Sequence, residues 1–354
     1  LLRRTRSKTG QGAASMKSQA RVVIVGGGIV GVSIAYHLTK FGWNDVVLVE
    51  KNELTAGSTW HAAGLLPLFT MSYAIGQIHK YSVDLYKSLE AETGQDVGFH
   101  ATGNMRLAES KERMDEFHRY CSVANTIGVP FEVIDAKRAK QLWPLCEMDD
   151  VVGALFHPQD GHAAPADVTM ALAKAARSRG AELNRQTKVT AIQQKPSGEW
   201  LVKTDKGDIA CEHVVTATGS WARQVAALAG LDIPVIAVEH QYIVTEPCKE
   251  LQERKAKGLP EMPVLRDSIA SYYLREERQG LIVGPYENNA PCWGTDGVPD
   301  AFGQELLPPD LDRLQVHIDA AMRRVPALAN VGIKNCVNGP IPYTPDGSPL
   351  IGPA

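Results

Sequence analysis

What this chain of 354 residues lacks narrows its class first. Its six cysteines (Cys121, Cys146, Cys211, Cys248, Cys292 and Cys336) are scattered, and no two stand as a CxxC pair. That spacing argues against a thiolate zinc site and leaves a set of reduced thiols as the expectation. The apolar run from Val22 to Leu38 is too short and too rich in glycine for a membrane span. Lys and Arg number 37 against 40 Asp and Glu, and no basic patch is interleaved with aromatics, so nothing marks a nucleic-acid surface. Acids are absent altogether before Asp45, whereas Arg3, Arg4, Arg6, Lys8, Lys17 and Arg21 all precede it. Such a basic, acid-free start suits a mitochondrial presequence remnant. It equally suits a flexible leader, or translated upstream sequence with Met16 as the true start.

What is present is ordinary globular composition, 44% hydrophobic and 22% charged, at a length where two domains are the default. The most informative stretch is an apolar strand, Val22-Val23-Ile24-Val25, running into Gly26-Gly27-Gly28-Ile29-Val30-Gly31. A helix-compatible run from Val32 to Leu38 follows. A glycine triplet alone is weak; between a β-branched strand and a helix it is the turn that receives a dinucleotide pyrophosphate. Gly26 permits the tight turn, Gly28 the approach of backbone to phosphate, and Gly31 the close packing of helix on strand. A second strand, Val46 to Val49, ends on Glu50, where an acid can hold a ribose hydroxyl. That favours FAD or NAD over NADP, whose 2′-phosphate it would repel. Then comes Gly57-Ser58-Thr59-Trp60-His61-Ala62-Ala63-Gly64, with one imidazole where the far end of such a cofactor could lie. Together the two segments point to a flavoenzyme.

Periodicity predicts helices over Ile75 to Glu92, Ser110 to Ile127, Pro165 to Arg179 and Pro309 to Arg324. Val97 to His100 and Asn104 to Ala108 read as a strand pair. Strands are also expected over Glu182 to Ile192, Trp200 to Thr204 and His213 to Ala217. The last leads into Thr216-Ala217-Thr218-Gly219-Ser220-Trp221-Ala222, which reads as a second strand end beside the dinucleotide. Beyond Pro234 the pattern is β: Val235 to Val244, Met262 to Arg266, Ser271 to Leu274 and Leu281 to Gly284. The expected fold is α/β: an FAD-binding Rossmann-like domain interrupted by a mainly antiparallel β substrate domain with helices. Its predicted limits are a leader over 1–20, the FAD domain over 21–105 and 156–230, and the substrate domain over 106–155 and 231–335. Residues 336–354 are expected to return to the FAD domain.

Several motifs in order resemble the dimethylglycine dehydrogenase and sarcosine dehydrogenase family of D-amino-acid-oxidase-type flavoproteins. They are the glycine opening, Gly57 to Leu65, Glu92 to His100, Glu239-His240-Gln241-Tyr242, Ser271 to Glu276, and Asn338 to Gly347. The likeness runs from Arg21 to Ala354. It implies covalent attachment of FAD through His61, and a neutral imidazole is a competent nucleophile near pH 7. It implies cofactor contacts along Gly26, Gly28, Ile29, Val30, Gly31, Glu50, Lys51, Gly57, Ser58, Thr59, Trp60, Ala62, Ala63, Gly64 and Leu65. Val189, Gly219 and Trp221 are implied as later ones.

His240 and Tyr272 match the family's two side chains beside the substrate amine. The activity implied is oxidation of an N-methylated glycine by hydride transfer to the flavin, dimethylglycine foremost. Sarcosine or a broader secondary amine is the alternative. Arg266 and Arg275 are candidates for the substrate carboxylate. Electrons are expected to leave to an electron-transfer flavoprotein in a dehydrogenase, or to O₂ in an oxidase. The implied location is the mitochondrial matrix, with bacterial cytoplasm as the alternative. Another class remains open: a non-catalytic regulatory subunit of pyruvate dehydrogenase phosphatase, which lacks the flavin-linking histidine.

Two departures stand out. Ala164, before Pro165, occupies a position where the family usually carries an acid or its amide. The chain also ends at Ala354, before the glycine-rich segment that closes over the flavin in the family and before its folate-binding region. A fragment is therefore expected, with tetrahydrofolate served only by a domain outside this sequence. His157 and His162 flank Asp160, but no metal centre is expected there.

Overall fold

The computed structural model describes residues 16–354. Most of the predicted leader lies outside them. Its expected end at residue 20 is too late, because the first strand already begins at Gln19. Two sheets carry the chain. The first has six strands in the order Glu182–Asn184, Val46–Val49, Gln19–Val25, Gly207–Thr216, Trp200–Thr204 and Val189–Gln194. The pairings among the first four are parallel, and the last two join as an antiparallel meander.

The unbroken apolar run of the opening strand follows from burial on both sides. Val22 and Ile24 pack with Val32, Tyr36 and Leu172 on one side, where helices Ile29–Lys40 and Pro165–Ser178 lie. Val23 and Val25 pack with Val202 and Ile209 of the meander on the other. The strand expected over Glu182 to Ile192 is two strands, broken at Arg185–Lys188, where Gln186 has positive φ.

The second sheet has nine strands drawn from two separated pieces of chain. Asn104–Ala108, Glu132–Asp135 and Gly153–His157 come from the first piece. Ile236–Thr245, Val264–Asp267, Tyr272–Glu277, Gly280–Pro285, Cys292–Trp293 and Ile333–Tyr343 come from the second. All pairings are antiparallel except one, between Val264–Asp267 and Asn104–Ala108, where the two pieces join. The interrupted, mainly antiparallel unit is thus as expected, but its limits shift. Ile333–Tyr343 pairs along its length with Ile236–Thr245 instead of leaving for the dinucleotide unit at 336. Val97 to His100 is no strand; only His100 bridges, to His162.

Alternation divides this sheet's faces. Met105, Leu107, Ile243, Leu265, Tyr272, Leu274, Leu281 and Val283 form a dry core with Leu314 of helix Leu311–Arg324. The residues between them, among them His240, Tyr242, Arg106, Arg266, Tyr273 and Arg275, share the opposite face, where Tyr242 and Arg275 reach the carbonyls of His61 and Ala63. All six cysteines are free thiols. No helix among the described residues is long and apolar enough to cross a membrane.

Candidate active site

The glycine turn is fixed by close approach. Gly26 sits at φ +115°, and a Cβ there would run into the carbonyl of Ala217, at the end of the neighbouring strand. A Cβ on Gly31 would strike the Gly26 carbonyl, so only glycine lets the helix lie this near the strand. Glu50 accepts the Gly27 amide on Oε2 (2.7 Å) and the Asn52 amide on Oε1 (2.8 Å). The acid therefore braces the turn with part of its acceptor capacity, and the rest is available to ribose hydroxyls. Helix Ile29–Lys40 opens at Gly28 with no side-chain cap and no acid in its first turn. Thr59 Oγ1 accepts from the Ile29 amide (3.1 Å). The positive end of the helix, with exposed Val30 beside it, is arranged for an anion.

The Gly57 to Leu65 segment then runs from that helix end to the second sheet. Ser58 Oγ donates to the Pro340 carbonyl (2.6 Å). Gly57 faces Trp221, and Lys51 lies 4.0 Å above the same indole while donating to the Asp300 carbonyl (2.8 Å). Burial lowers the Lys51 pKa. Gly219, at φ +56°, starts the short 3-10 turn that carries Trp221. Val189 packs on the cluster containing Val25 and Val49, the strand ends at the turn. Beyond His61 and Ala62, the Ala63 carbonyl accepts from Arg275 Nε (3.2 Å). The Gly64 carbonyl takes the Ala163 amide (2.9 Å), and Leu65 pairs with His162.

His61 is buried, at 6% exposure. Its ring lies on the backbone of Gly339, where a Cβ would sit 2.6 Å from both ring nitrogens. Tyr242 Oη donates to the His61 carbonyl (3.1 Å). Burial drives the imidazole pKa down to about 4, with a smaller contribution from like charge on His240. His61 is neutral at pH 7. His240 stands opposite Gly339 across the strand pair, so its side chain shares the face that meets His61. Burial lowers its pKa as well.

Tyr272 is not on this face. Strand parity turns it into the dry core, where its hydroxyl meets Asp267 Oδ2 (3.4 Å). The neighbouring Tyr273, opposite Arg266 and Gly284, lies on the other face. Its ring lies over Gly284, where any Cβ would collide with it, and stands 5.7 Å from Tyr286, itself 5.9 Å from His240. Burial raises the Tyr273 phenol far above its ordinary pKa. Sequence reasoning passed over Tyr273, Tyr242 and Gly339. The signal for all three was the period of two along their strands.

His157 and His162 do not converge on Asp160. His157 Nδ1 bonds to Asp160 Oδ1 (2.7 Å), whereas His162 Nε2 bonds to Glu261 Oε1 (2.6 Å). Glu261 also meets His100 Nδ1 (3.0 Å), which gathers three ligand-type atoms within 4.8 Å of one another. Their mutual hydrogen bonds account for the grouping.

The fit to a flavin dinucleotide can be judged from what the protein leaves unpaired. Trp60 Nε1, His61 Nε2, Thr218 Oγ1, Ser220 Oγ and Trp221 Nε1 are buried without a hydrogen-bond partner among the described residues. Buried polar atoms are nearly always paired. Such a group along one loop and one strand end, beside an uncapped helix terminus, suits a long, polar cofactor. The residues present fit FAD.

The chain belongs to the FAD dependent oxidoreductase family, whose model matches residues 21–354. Among its relatives, mitochondrial dimethylglycine dehydrogenase of Rattus norvegicus is 47% identical over 95% of this chain. Mitochondrial sarcosine dehydrogenase of Homo sapiens is 37% identical over 96%. The chain spans 39% and 36% of the lengths of these two relatives. Among solved structures, L-proline dehydrogenase from P. horikoshii superposes with a TM-score of 0.82 at 30% identity, over 96% of this chain and 86% of its own.

Proposed function

We propose that this protein oxidises the C–N bond of an N-methylated glycine, dimethylglycine foremost, using FAD attached through His61. The observation that carries the reading is His61 itself: a buried, neutral imidazole with an unpartnered Nε2, set between the glycine turn and His240. The glycine turn and helix terminus would hold the pyrophosphate, Glu50 a ribose, and the Gly57 to Leu65 segment with Trp221 the far end. Bound there, FAD supplies the acceptor for a hydride from the carbon next to nitrogen.

The protein's own part is to bind and orient an amine in its neutral form. His240, its pKa lowered by burial, is a free base at pH 7 and can take the proton of the substrate ammonium. Tyr273, its pKa raised by burial, keeps its proton and can donate a hydrogen bond. Dimethylglycine is preferred over sarcosine because identity is higher to the dimethylglycine enzyme. The basic leader and the mitochondrial relatives support a matrix location. An electron-transfer flavoprotein is the acceptor proposed for the electrons.

Stopped-flow reduction of the bound flavin by dimethylglycine tests the assignment. His240→Ala and Tyr273→Phe are expected to slow it by roughly 10²-fold, the scale of a lost acid–base or orienting group. Tyr272→Phe should leave it within a few-fold. Wild-type rates in both His240→Ala and Tyr273→Phe would remove them from the site.

A further inference from the structure

The face that carries His240 and Tyr273 also buries positive charge for which the described residues provide no anion. Arg106 and Arg266 stand side by side on the two parallel strands where the chain's two pieces join. Arg266 is 9% exposed, and its side chain's one hydrogen bond among the described residues is from Nη1 to Tyr286 Oη (2.8 Å). Arg106 lies over the Phe69 ring at 4.1 Å, and among the described residues no carboxylate lies within ion-pair reach of either guanidinium.

The negative charge of Asp160 acts on Arg106 from beyond ion-pair reach, but its oxygens are occupied by His157 Nδ1 and the Leu68 amide. Arg106 Nε, Arg266 Nε and the neighbouring Asn104 Nδ2 are all buried without an acceptor among the described residues. Burial, and then the like charge of Arg266, depress the Arg106 pKa to about 9. Two desolvated guanidiniums held together repel each other, and unpaired buried donors cost free energy. Such a pair persists where an anion with several acceptor oxygens completes it, and a carboxylate matches the guanidinium fork.

The geometry points to Arg106 and Arg266, with Asn104, as the seat of the substrate carboxylate. Tyr286 would link that seat to His240: it receives the Arg266 hydrogen bond and stands 5.9 Å from the imidazole. Arg275, the other sequence candidate, is already committed to the Ala63 carbonyl and to Glu277. This assignment rests on the amine-oxidation reading for the identity of the ligand. The anion site itself does not.

The test uses flavin-loaded protein, calorimetric titration with acetate, N,N-dimethylglycine and trimethylamine, and steady-state kinetics. Acetate is expected to bind competitively with dimethylglycine, and trimethylamine to bind far more weakly. Arg106→Met and Arg266→Met should each raise KM by about 10- to 100-fold, the worth of a hydrogen bond to a charged group, with a smaller effect on kcat. Arg106→Lys should recover part of the loss. Arg106→Met should also melt no lower than wild type without ligand, because one of two repelling buried charges is gone; a merely structural arginine would lower the melting point.

Wild-type protein that does not bind acetate would overturn the assignment even if neither variant folds. So would folded variants with unchanged KM and acetate affinity. Acetate binding that needs both arginines, in a protein whose flavin no N-methyl amine reduces, would refute the oxidation reading and leave the anion site standing.

Discussion

The buried imidazole of His61 should show itself in stability before any chemistry is measured. Its pKa falls from an ordinary 6.5 to about 4 because burial penalises the charged form. In the unfolded chain it titrates normally, so below pH 6.5 the unfolded state binds the extra proton. Stability is then lost as pH falls, until the folded state also protonates near pH 4. Two and a half units at 1.36 kcal/mol each set a ceiling of about 3 kcal/mol, of which about 2.5 kcal/mol is already lost at pH 4.5. Urea unfolding of apo-protein, made under riboflavin limitation, should be compared with His61→Gln at pH 7.5 and 4.5. The difference between the two proteins should shift by about 2.5 kcal/mol in favour of the glutamine variant at the lower pH. Half-buried His240 and His79 titrate in both proteins and largely cancel. Parallel pH profiles, with the difference constant to about 0.5 kcal/mol, would show that His61 is not buried as described.

Two substitutions probe the packing around it. Gly339→Ala places a methyl group 2.6 Å from the ring nitrogens of His61. It should cost about 1–3 kcal/mol by overpacking and sharply reduce flavin content; unchanged melting with full flavin absorbance would contradict the close approach. Ala164 begins helix Pro165–Ser178 without any side-chain cap hydrogen bond. Ala164→Asp should add about 1 kcal/mol, read as a rise of about 2 °C in Tm, and a lower Tm would refute the capping argument.

The dinucleotide half was legible because its rules are local. A buried strand, a turn that only glycine can make and an acid on the next strand each leave a mark at fixed spacing, and Gly26, Gly31 and Glu50 all stand where those marks put them. The substrate half depends on register, which a motif does not carry. Tyr272 and Tyr273 are adjacent and chemically identical, and which one leaves the dry core is settled by pairing with Arg266 and Gly284 across two neighbouring strands. Arg106 was invisible for the same reason. Its neighbour Arg266 lies 160 residues away in sequence and is brought beside it by the one parallel pairing in the sheet. The return expected at residue 336 failed because Asn338 to Gly347 reads as a cofactor motif. Gly339 and Pro340 do touch His61 and Ser58, but from a strand that belongs to the second sheet.

The most direct test is the visible spectrum of the flavin-loaded protein on anaerobic mixing with N,N-dimethylglycine. The account predicts that the oxidised flavin band bleaches, that sarcosine bleaches it more slowly, and that trimethylamine, lacking a carboxylate, is poorest of the three. A flavin that stays oxidised with every N-methylated glycine, in protein whose flavin dithionite readily reduces, would contradict it.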